Sequence, residues 1–155
     1  MRLLLSRVSA IFFAGMIIFS FPARPARADE RTAGVIRSSE GATFVARAGT
    51  DIPGREGFTL QESDVLRTGH DGRLGVILRD DTRLSLGPDT EIKIEQFVFV
   101  PSRSAFGLVL RMARGAAVYV SGKIAVLSPK SARFETPVAT LSTRGTTFGV
   151  IVRPD

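Results

Sequence analysis

An apolar pair that recurs every eight residues constrains the fold more than any other feature of this sequence. The pairs are Val76 and Leu78, Leu84 and Leu86, and Ile92 and Ile94, and the dipeptides between them are Asp81-Thr82 and Asp89-Thr90. Alternate residues of a β-strand share one face, so each pair is predicted to point inward while the Asp-Thr positions turn the chain. Two topologies fit this period: successive hairpins, and a solenoid that stacks short strands as rungs.

Short β-branched runs broken by Gly, Pro, Asp and Ser continue along the rest of the chain and predict strands. The segment from Ala48 to Gly57 is polar and Gly-rich, and it is predicted to be a loop. Residues 104–114 come nearest to a helical stripe, but Gly107 and the β-branched content favour a strand. The sequence therefore predicts an all-β fold, a single domain of many short strands that is β-solenoid-like, β-roll-like or β-sandwich-like. Further predicted strands are Phe44–Ala46, Phe97–Val100, Leu108–Leu110, Val118–Val120, Ile124–Val126 and Phe148–Val152.

Composition excludes several kinds of site. The chain of 155 residues contains no Cys and one His, which removes disulfides, thiolate metal sites, thiol nucleophiles and any metal site built on two histidines. One domain is the natural count for this length. The single histidine, His70, lies in a Gly-flanked turn, where we expect a solvent-exposed side chain rather than a pH sensor. No cofactor is predicted.

The first 28 residues are organised like a secretory signal peptide. Two arginines precede an apolar run, Val8 to Phe21, which at 14 residues is shorter than the roughly 20 that a membrane-spanning helix needs. A Pro-rich stretch then ends in Ala-Arg-Ala at Ala28, a pattern typical of cleavage sites. We expect cleavage after Ala28, a domain over residues 29–155, and a periplasmic or secreted location. An uncleaved anchor is the alternative, whereas a lipoprotein anchor would need a Cys.

The basic charge of the chain belongs mostly to this leader. There are 21 Lys and Arg against 15 Asp and Glu, a formal net charge of +6, but four of the arginines and none of the acids lie in residues 1–28. The remaining residues keep a net charge of +2. A nucleic-acid partner is therefore not expected. Contact with a membrane is expected only through the signal peptide during export.

Several motifs follow one another in an order that is typical of one known family. They are Ser63-Asp64-Val65-Leu66-Arg67-Thr68-Gly69, the stretch Arg73 to Leu86, an Arg114-Gly115 turn, and the closing stretch Glu135 to Val150 with its Thr143-Arg144-Gly145-Thr146-Thr147-Phe148 piece. With these motifs the chain resembles, from about Thr32 to Val152, the FecR domain. That domain is the periplasmic β module of transmembrane anti-sigma regulators in cell-surface iron signalling. Ser63 stands where the family usually has Gly, and Asp81-Thr82 replaces its usual Asp-Gly-Ser turn.

The resemblance implies a role in the cell envelope, and the absence of any catalytic constellation in the sequence predicts that this role involves no chemistry. Regulators of this family carry a cytoplasmic helical segment before a membrane span, whereas this sequence has a signal peptide, so we expect the stand-alone form of the domain. The expected function is a non-catalytic binding, structural or signalling-accessory module whose partner is an envelope protein or a glycan. One alternative is the periplasmic part of an iron-responsive system that regulates a sigma factor. Another is a small periplasmic hydrolase that uses carboxylates such as Asp64 and Asp80.

The motif Arg144-Gly145-Thr146 is one candidate partner-binding site. An Arg beside a Gly turn presents a planar guanidinium that binds carboxylate or phosphate groups bidentately. The structural alternative is a tight turn or bulge at Gly145, with Thr146 bonded to local backbone and Arg144 paired within the fold.

The segment from Phe97 to Phe106 is the other candidate. Phe99 and Phe106 lie in what is predicted to be the least regular part of the chain, where we look for a binding loop or an exposed edge. With Phe97 and Tyr119 they form either an exposed aromatic strip for sugars or peptides or, as a domain of this size without cysteine favours, part of the core.

The acidic residues give a weaker signal. Asp64, Asp71, Asp80 and Asp81 lie close in sequence, but calcium needs about 6–8 oxygen ligands from a loop of defined spacing, and no such repeat is present. Adjacent Asp residues on a β-turn are expected to cap the turn and face solvent. Ser121 and Ser142 occur in no nucleophile motif. No catalytic or metal-binding residue is therefore predicted.

Overall fold

The computed structural model describes residues 31–142 and 145–153, so the predicted signal peptide and Arg144 lie outside the described residues. The prediction of an all-β fold with many short strands is confirmed. None of the helices formed by the described residues has the length and hydrophobicity needed to cross a membrane. The strands are β1 (Thr32–Glu40), β2 (Thr43–Arg47), β3 (Thr50–Pro53), β4 (Thr59–Gln61), β5 (Val65–Thr68), β6 (Arg73–Leu78), β7 (Arg83–Leu86), β8 (Glu91–Val100), β9 (Ala105–Val120), β10 (Ala132–Glu135), β11 (Thr140–Leu141) and β12 (Thr147–Val152).

Strand β9, with 16 residues, joins the parts of the sheet, and it runs unbroken through Arg114-Gly115, where the predicted turn is therefore wrong. Its first half pairs antiparallel with β8 and its second half with β7. From these two strands the sheet extends as β8-β5-β2-β3 in one wing and as β7-β6-β1-β4 in the other. Strand β12 pairs antiparallel with the second half of β9, while β10 pairs parallel with the first half and carries β11. The result is one curled sheet whose inward side chains form a single core.

The eight-residue period corresponds to the three consecutive strands β6, β7 and β8, and all six of its apolar side chains are buried. Val76 lies opposite Leu84 in an antiparallel ladder, so β6 and β7 form a hairpin. Ile92 instead pairs with β5 and β9. Of the two topologies that fit the period, the chain therefore adopts the folded-back one, because solenoid rungs would be parallel.

Residues with left-handed backbone occur where the chain reverses before β5 and on either side of β7. Ser63, Asp81 and Asp89 have φ angles of 72°, 67° and 50°. Gly reaches this region without steric cost and Asp tolerates it better than most residues. Ser63 thus stands at a position whose geometry explains why the resembling family usually has Gly there. The hydroxyl groups of Thr82 and Thr90, both buried, hold the two Asp turns in place by hydrogen bonds.

The predicted strand Ile124–Val126 is wrong: these residues lie in the short helix α1 (Lys123–Leu127). The reason is the buried Asp80, which binds the start of the helix. Its carbonyl oxygen accepts the N–H of Lys123 at 2.6 Å, and its carboxylate accepts the N–H of Ile124 at 3.3 Å. These bonds satisfy donors that a first helical turn leaves without partners, and Ile124 and Ala125 then pack into the core.

Two other segments are more regular than predicted. The expected loop from Ala48 to Gly57 contains β3, which forms a hairpin with β2. The segment from Phe97 to Phe106 is not irregular, because it continues β8 and β9 into a paired hairpin. A 3-10 turn over Pro101–Arg103 joins those strands, and Ser104 closes it with a φ of 49°.

An aromatic cluster anchors β12 to the core. The ring of Phe148 stacks on Tyr119 with 4.9 Å between centroids and meets Phe134 edge-on at 5.5 Å. Tyr119 and Phe134 are themselves 5.9 Å apart. Since Phe148 closes the Thr-Arg-Gly-Thr-x-Phe motif, that aromatic position is explained by packing.

Candidate functional site

The predicted aromatic site at Phe99 and Phe106 is a cross-strand pair at the tip of the β8–β9 hairpin. The two residues lie opposite each other, with ring centroids 6.1 Å apart, and both pack half-buried against the core. Phe97 and Tyr119 are buried. The four rings therefore do not form one exposed strip, and partner binding at Phe99 and Phe106 stays a prediction.

The described part of the Arg144-Gly145-Thr146 motif lies at the other end of β9. Gly145 is left-handed, with a φ of 61°. The N–H of Thr146 donates to Ser121 Oγ at 2.7 Å, and the N–H of Ser121 donates to Thr146 O at 3.0 Å. These contacts support a structural role for Gly145 and Thr146, which lead the chain into β12, and partner binding there also stays a prediction.

The two carboxylates of the hydrolase alternative are both buried and bonded within the fold. Asp64 accepts Arg47 Nε and Nη2, each at 2.8 Å, and the N–H of Gln61 at 2.8 Å. Asp80, which was expected to face solvent, is fully buried instead and accepts the Thr82 hydroxyl at 2.8 Å. Because each carboxylate holds its own turn of backbone, both are explained by structure rather than by acid–base chemistry.

The other polar candidates lie on turns at the surface. Asp71 accepts the N–H of Ala42 at 3.2 Å, and Asp81 is exposed, as expected. His70 is almost fully exposed, and its Nδ1 lies 3.1 Å from Asp89 Oδ2. Among residues 31–142 and 145–153, no three His, Asp or Glu side chains are grouped as metal ligands would be.

The feature that stands out is an exposed apolar surface, which we call the outer face. It is the side of β7, β9 and β12 turned away from the core, and it continues onto α1. Val118 is 44% exposed at its centre, Ile151 is 71% exposed on β12, and Leu127 is 58% exposed on α1. Clusters of exposed aliphatic side chains on a folded protein mark surfaces that contact a partner.

Small residues carve the first of two grooves in this face. Val118 lies directly opposite Ser85 on one side and Gly149 on the other. With small neighbours in both adjacent strands, the Val118 side chain stands beside open space, and the groove has a volume of about 560 Å³. Apart from the Ser85 hydroxyl, its side chains are aliphatic. The lining residues are Ser85, Leu86, Gly87, Ala116, Ala117, Val118, Gly149, Val150 and Ile151.

The second groove, of about 570 Å³, adjoins the first where Arg83 lies opposite Val120. Its floor is aliphatic, with Val126 and Leu127 from α1, and charged groups line its rim. Lys123 Nζ lies 2.7 Å from Asp81 Oδ2, and the hydrogen bond to that carboxylate raises the pKa of Lys123. The face therefore combines apolar floors with a charged rim, which is the organisation of a protein-binding surface.

The outer face was not predicted from the sequence, although two apolar stretches of the sequence indicate it. Residues 115–120 and 148–152 are apolar at successive positions rather than at alternate ones. A strand that is apolar on both faces is expected to be covered on both faces. In the described fold only one face of these strands is covered.

A family model described as "FecR protein" matches residues 64–155, which is more than half of the chain. The match takes in every strand from β5 to β12, including the whole outer face. It begins later than the Thr32 suggested by the motifs. Comparison with curated proteins and with solved structures gives no significant match.

Proposed function

Because this chain belongs to the FecR protein family, we propose that it is a non-catalytic module of the cell envelope that binds another envelope protein through its outer face. The observation that carries the proposal is the exposed apolar side of β9 and β12. Residues 115–120 of β9 and 148–152 of β12 are apolar at successive positions, and a bound partner supplies the cover that their second face lacks.

Three further observations support the proposal. The signal-peptide pattern of residues 1–28 favours export to the periplasm or beyond. Asp64 and Asp80, the carboxylates best placed by sequence for catalysis, each hold backbone turns instead. The aliphatic lining of the first groove favours a protein over a glycan, because sugar hydroxyls need convergent polar groups, and only Ser85 offers a polar side chain there.

Photo-crosslinking in the native envelope tests this function. A photoreactive residue at position 118 is expected to give one specific adduct with a different protein. The matched control is the same residue at position 44, because Phe44 is 39% exposed on β2, in the other wing. Equal adducts from both positions, or none from position 118, would refute binding through the outer face.

Membership of the family also favours a second, narrower role in signalling. In this role the chain is the periplasmic part of an iron-responsive system that regulates a sigma factor. Deletion of the gene is then expected to change iron-dependent transcripts, and restoration with a Val118→Lys variant is expected to fail. Restoration with Val138→Lys is expected to succeed, since Val138 lies on the exposed turn between β10 and β11. Unchanged transcripts on deletion would exclude this role and leave the binding function standing.

A further inference from the structure

Within the part of the chain that the structure describes, strand β12 is an unprotected edge of the sheet. Among the described residues it pairs with β9 alone. Its sequence from Thr147 to Val152 contains no charge and no proline. The strands at the ends of the two wings differ, since β3 ends in Pro53 and β4 has three residues. Proteins usually blunt edge strands with charge, proline or shortness, because bare edges pair with other chains.

The hydrogen-bond pattern shows which groups of β12 point outward. The N–H of Ser121 donates to Thr146 O, and the N–H of Gly87 on the opposite side donates to Ala116 O. In an antiparallel ladder, bonded pairs alternate, so Phe148, Val150 and Val152 bond to β9. Consequently the N–H and C=O groups of the odd-numbered residues 147, 149 and 151 point to the free edge.

We propose that β12 pairs antiparallel with β12 of a second copy of this chain, around a twofold axis at Val150. In this register the outward-pointing residues of both copies bond to one another. The exposed Ile151 of each copy lies over Gly149 of the other, where the absent side chain leaves room beside the first groove. Phe148 lies opposite Val152, so inner residues meet inner residues and the two sheets become continuous.

The neighbouring registers fit less well. A shift by one residue sets the inner side chains of one copy opposite the outer side chains of the other, because the side-chain period is two. A twofold axis at Gly149 keeps the faces matched but sets Gly149 opposite itself and leaves Ile151 opposite Thr147. Since no charged residue occurs in the six-residue strand, the register at Val150 brings no like charges together within it.

A cysteine crosslink tests the register, because the natural sequence contains no Cys. At the twofold axis the two Cα atoms of a non-hydrogen-bonded pair are about 4.5 Å apart, within reach of a disulfide. The two copies of residue 151 are instead offset by two positions, roughly 8 Å apart. Val150→Cys is therefore expected to form a covalent dimer on mild oxidation at least tenfold faster than Ile151→Cys, although position 151 is the more exposed. Equal rates, or faster dimerisation of Ile151→Cys, would overturn the proposal.

Sedimentation of the full exported chain tests the association itself. We expect a concentration-dependent dimer, which Ile151→Pro abolishes and Ile151→Thr weakens only partly. The proline removes an N–H that points to the edge, so the bonds to β9 remain and the variant folds; circular dichroism checks this. A chain that stays monomeric at all concentrations in sedimentation would overturn the proposal. In the crosslinking experiment, a Val150→Cys variant that becomes linked to a different protein would also overturn it. These tests leave Val118 intact, so their failure is separate from failure of the partner crosslink.

Discussion

Tyr119 makes the stability of this protein sensitive to alkaline pH. The residue is 3% exposed, and its burial raises the pKa of the phenol to about 12. The hydrogen bond with Thr82 lowers this pKa, whereas the negative charge of Asp80 raises it further. In the unfolded chain the pKa is about 10. The folded state thus holds its proton more tightly than the unfolded state, and the stability from the neutral phenol is complete below about pH 10.

The expected loss follows from the same two values. As the pH rises from about 10 to about 12, the unfolded state releases the proton first, so the free energy of unfolding falls. A difference of about two pKa units corresponds to about 2.7 kcal/mol. Tyr119→Phe removes this dependence. At neutral pH it costs about 1 kcal/mol, because the hydrogen bond with Thr82 is lost.

Urea unfolding of both proteins across this pH range measures the effect. Because the natural chain has one Tyr and no Trp, ultraviolet absorption of the phenolate also follows the titration of this residue alone. The natural chain is expected to be about 1 kcal/mol more stable than Tyr119→Phe at neutral pH and to become the less stable of the two as the pH rises towards 12, because its loss of about 2.7 kcal/mol exceeds that difference. If the two free energies of unfolding fall in parallel, or if the phenolate of the folded protein forms near pH 10, the reasoning is wrong. Since Tyr119 stacks on Phe148, its ionisation is also expected to loosen β12.

Two substitutions test the turns that hold the sheet. Asp64→Asn is expected to lower the free energy of unfolding by about 2–3 kcal/mol, because it leaves the paired Arg47 without its buried carboxylate. The control is Asp51→Asn, which changes an exposed ion pair and should cost under about 1 kcal/mol. Equal losses in the two variants would contradict a structural role for Asp64. Ser63→Gly is expected to raise the free energy by roughly 0.5 kcal/mol, since relief of the left-handed strain slightly exceeds the entropy cost of Gly. A loss of stability in urea would show that Ser63 is not strained.

The positions of the two Asp turns were predictable because they depend on the local sequence. Asp81 and Asp89 recur at one phase, and the structure places both in the left-handed region. The burial of Asp80 was not predictable, because it depends on a helix more than forty residues further along the chain, whose N–H groups approach this carboxylate. The same contact turned Ile124–Val126, a β-branched run, into a helix.

Some residues of the candidate site could be predicted from the sequence, and others could not. Gly145 and Phe148 were visible as a motif, and the structure explains the one by its backbone angle and the other by its aromatic contacts. In contrast, Val118 and Ile151 are apolar residues that no sequence motif marked as functional. Whether such residues are core or surface depends on which strands lie beside them and on whether anything covers that face, and neither is encoded locally.

By itself the sequence determined that the chain forms strands, which side chains of β6, β7 and β8 point inward, and that the chain turns at Asp81 and Asp89. The physical reason is that the side-chain period of two and the backbone preferences of Asp act over a few residues. Only the tertiary structure decided that β9 links both wings, that the hairpins curl around one core, and that among the described residues β12 pairs with β9 alone. Each strand could pair with any of several strands that are distant from it in the sequence. The pairing that forms is the one that buries the whole set of inward side chains together.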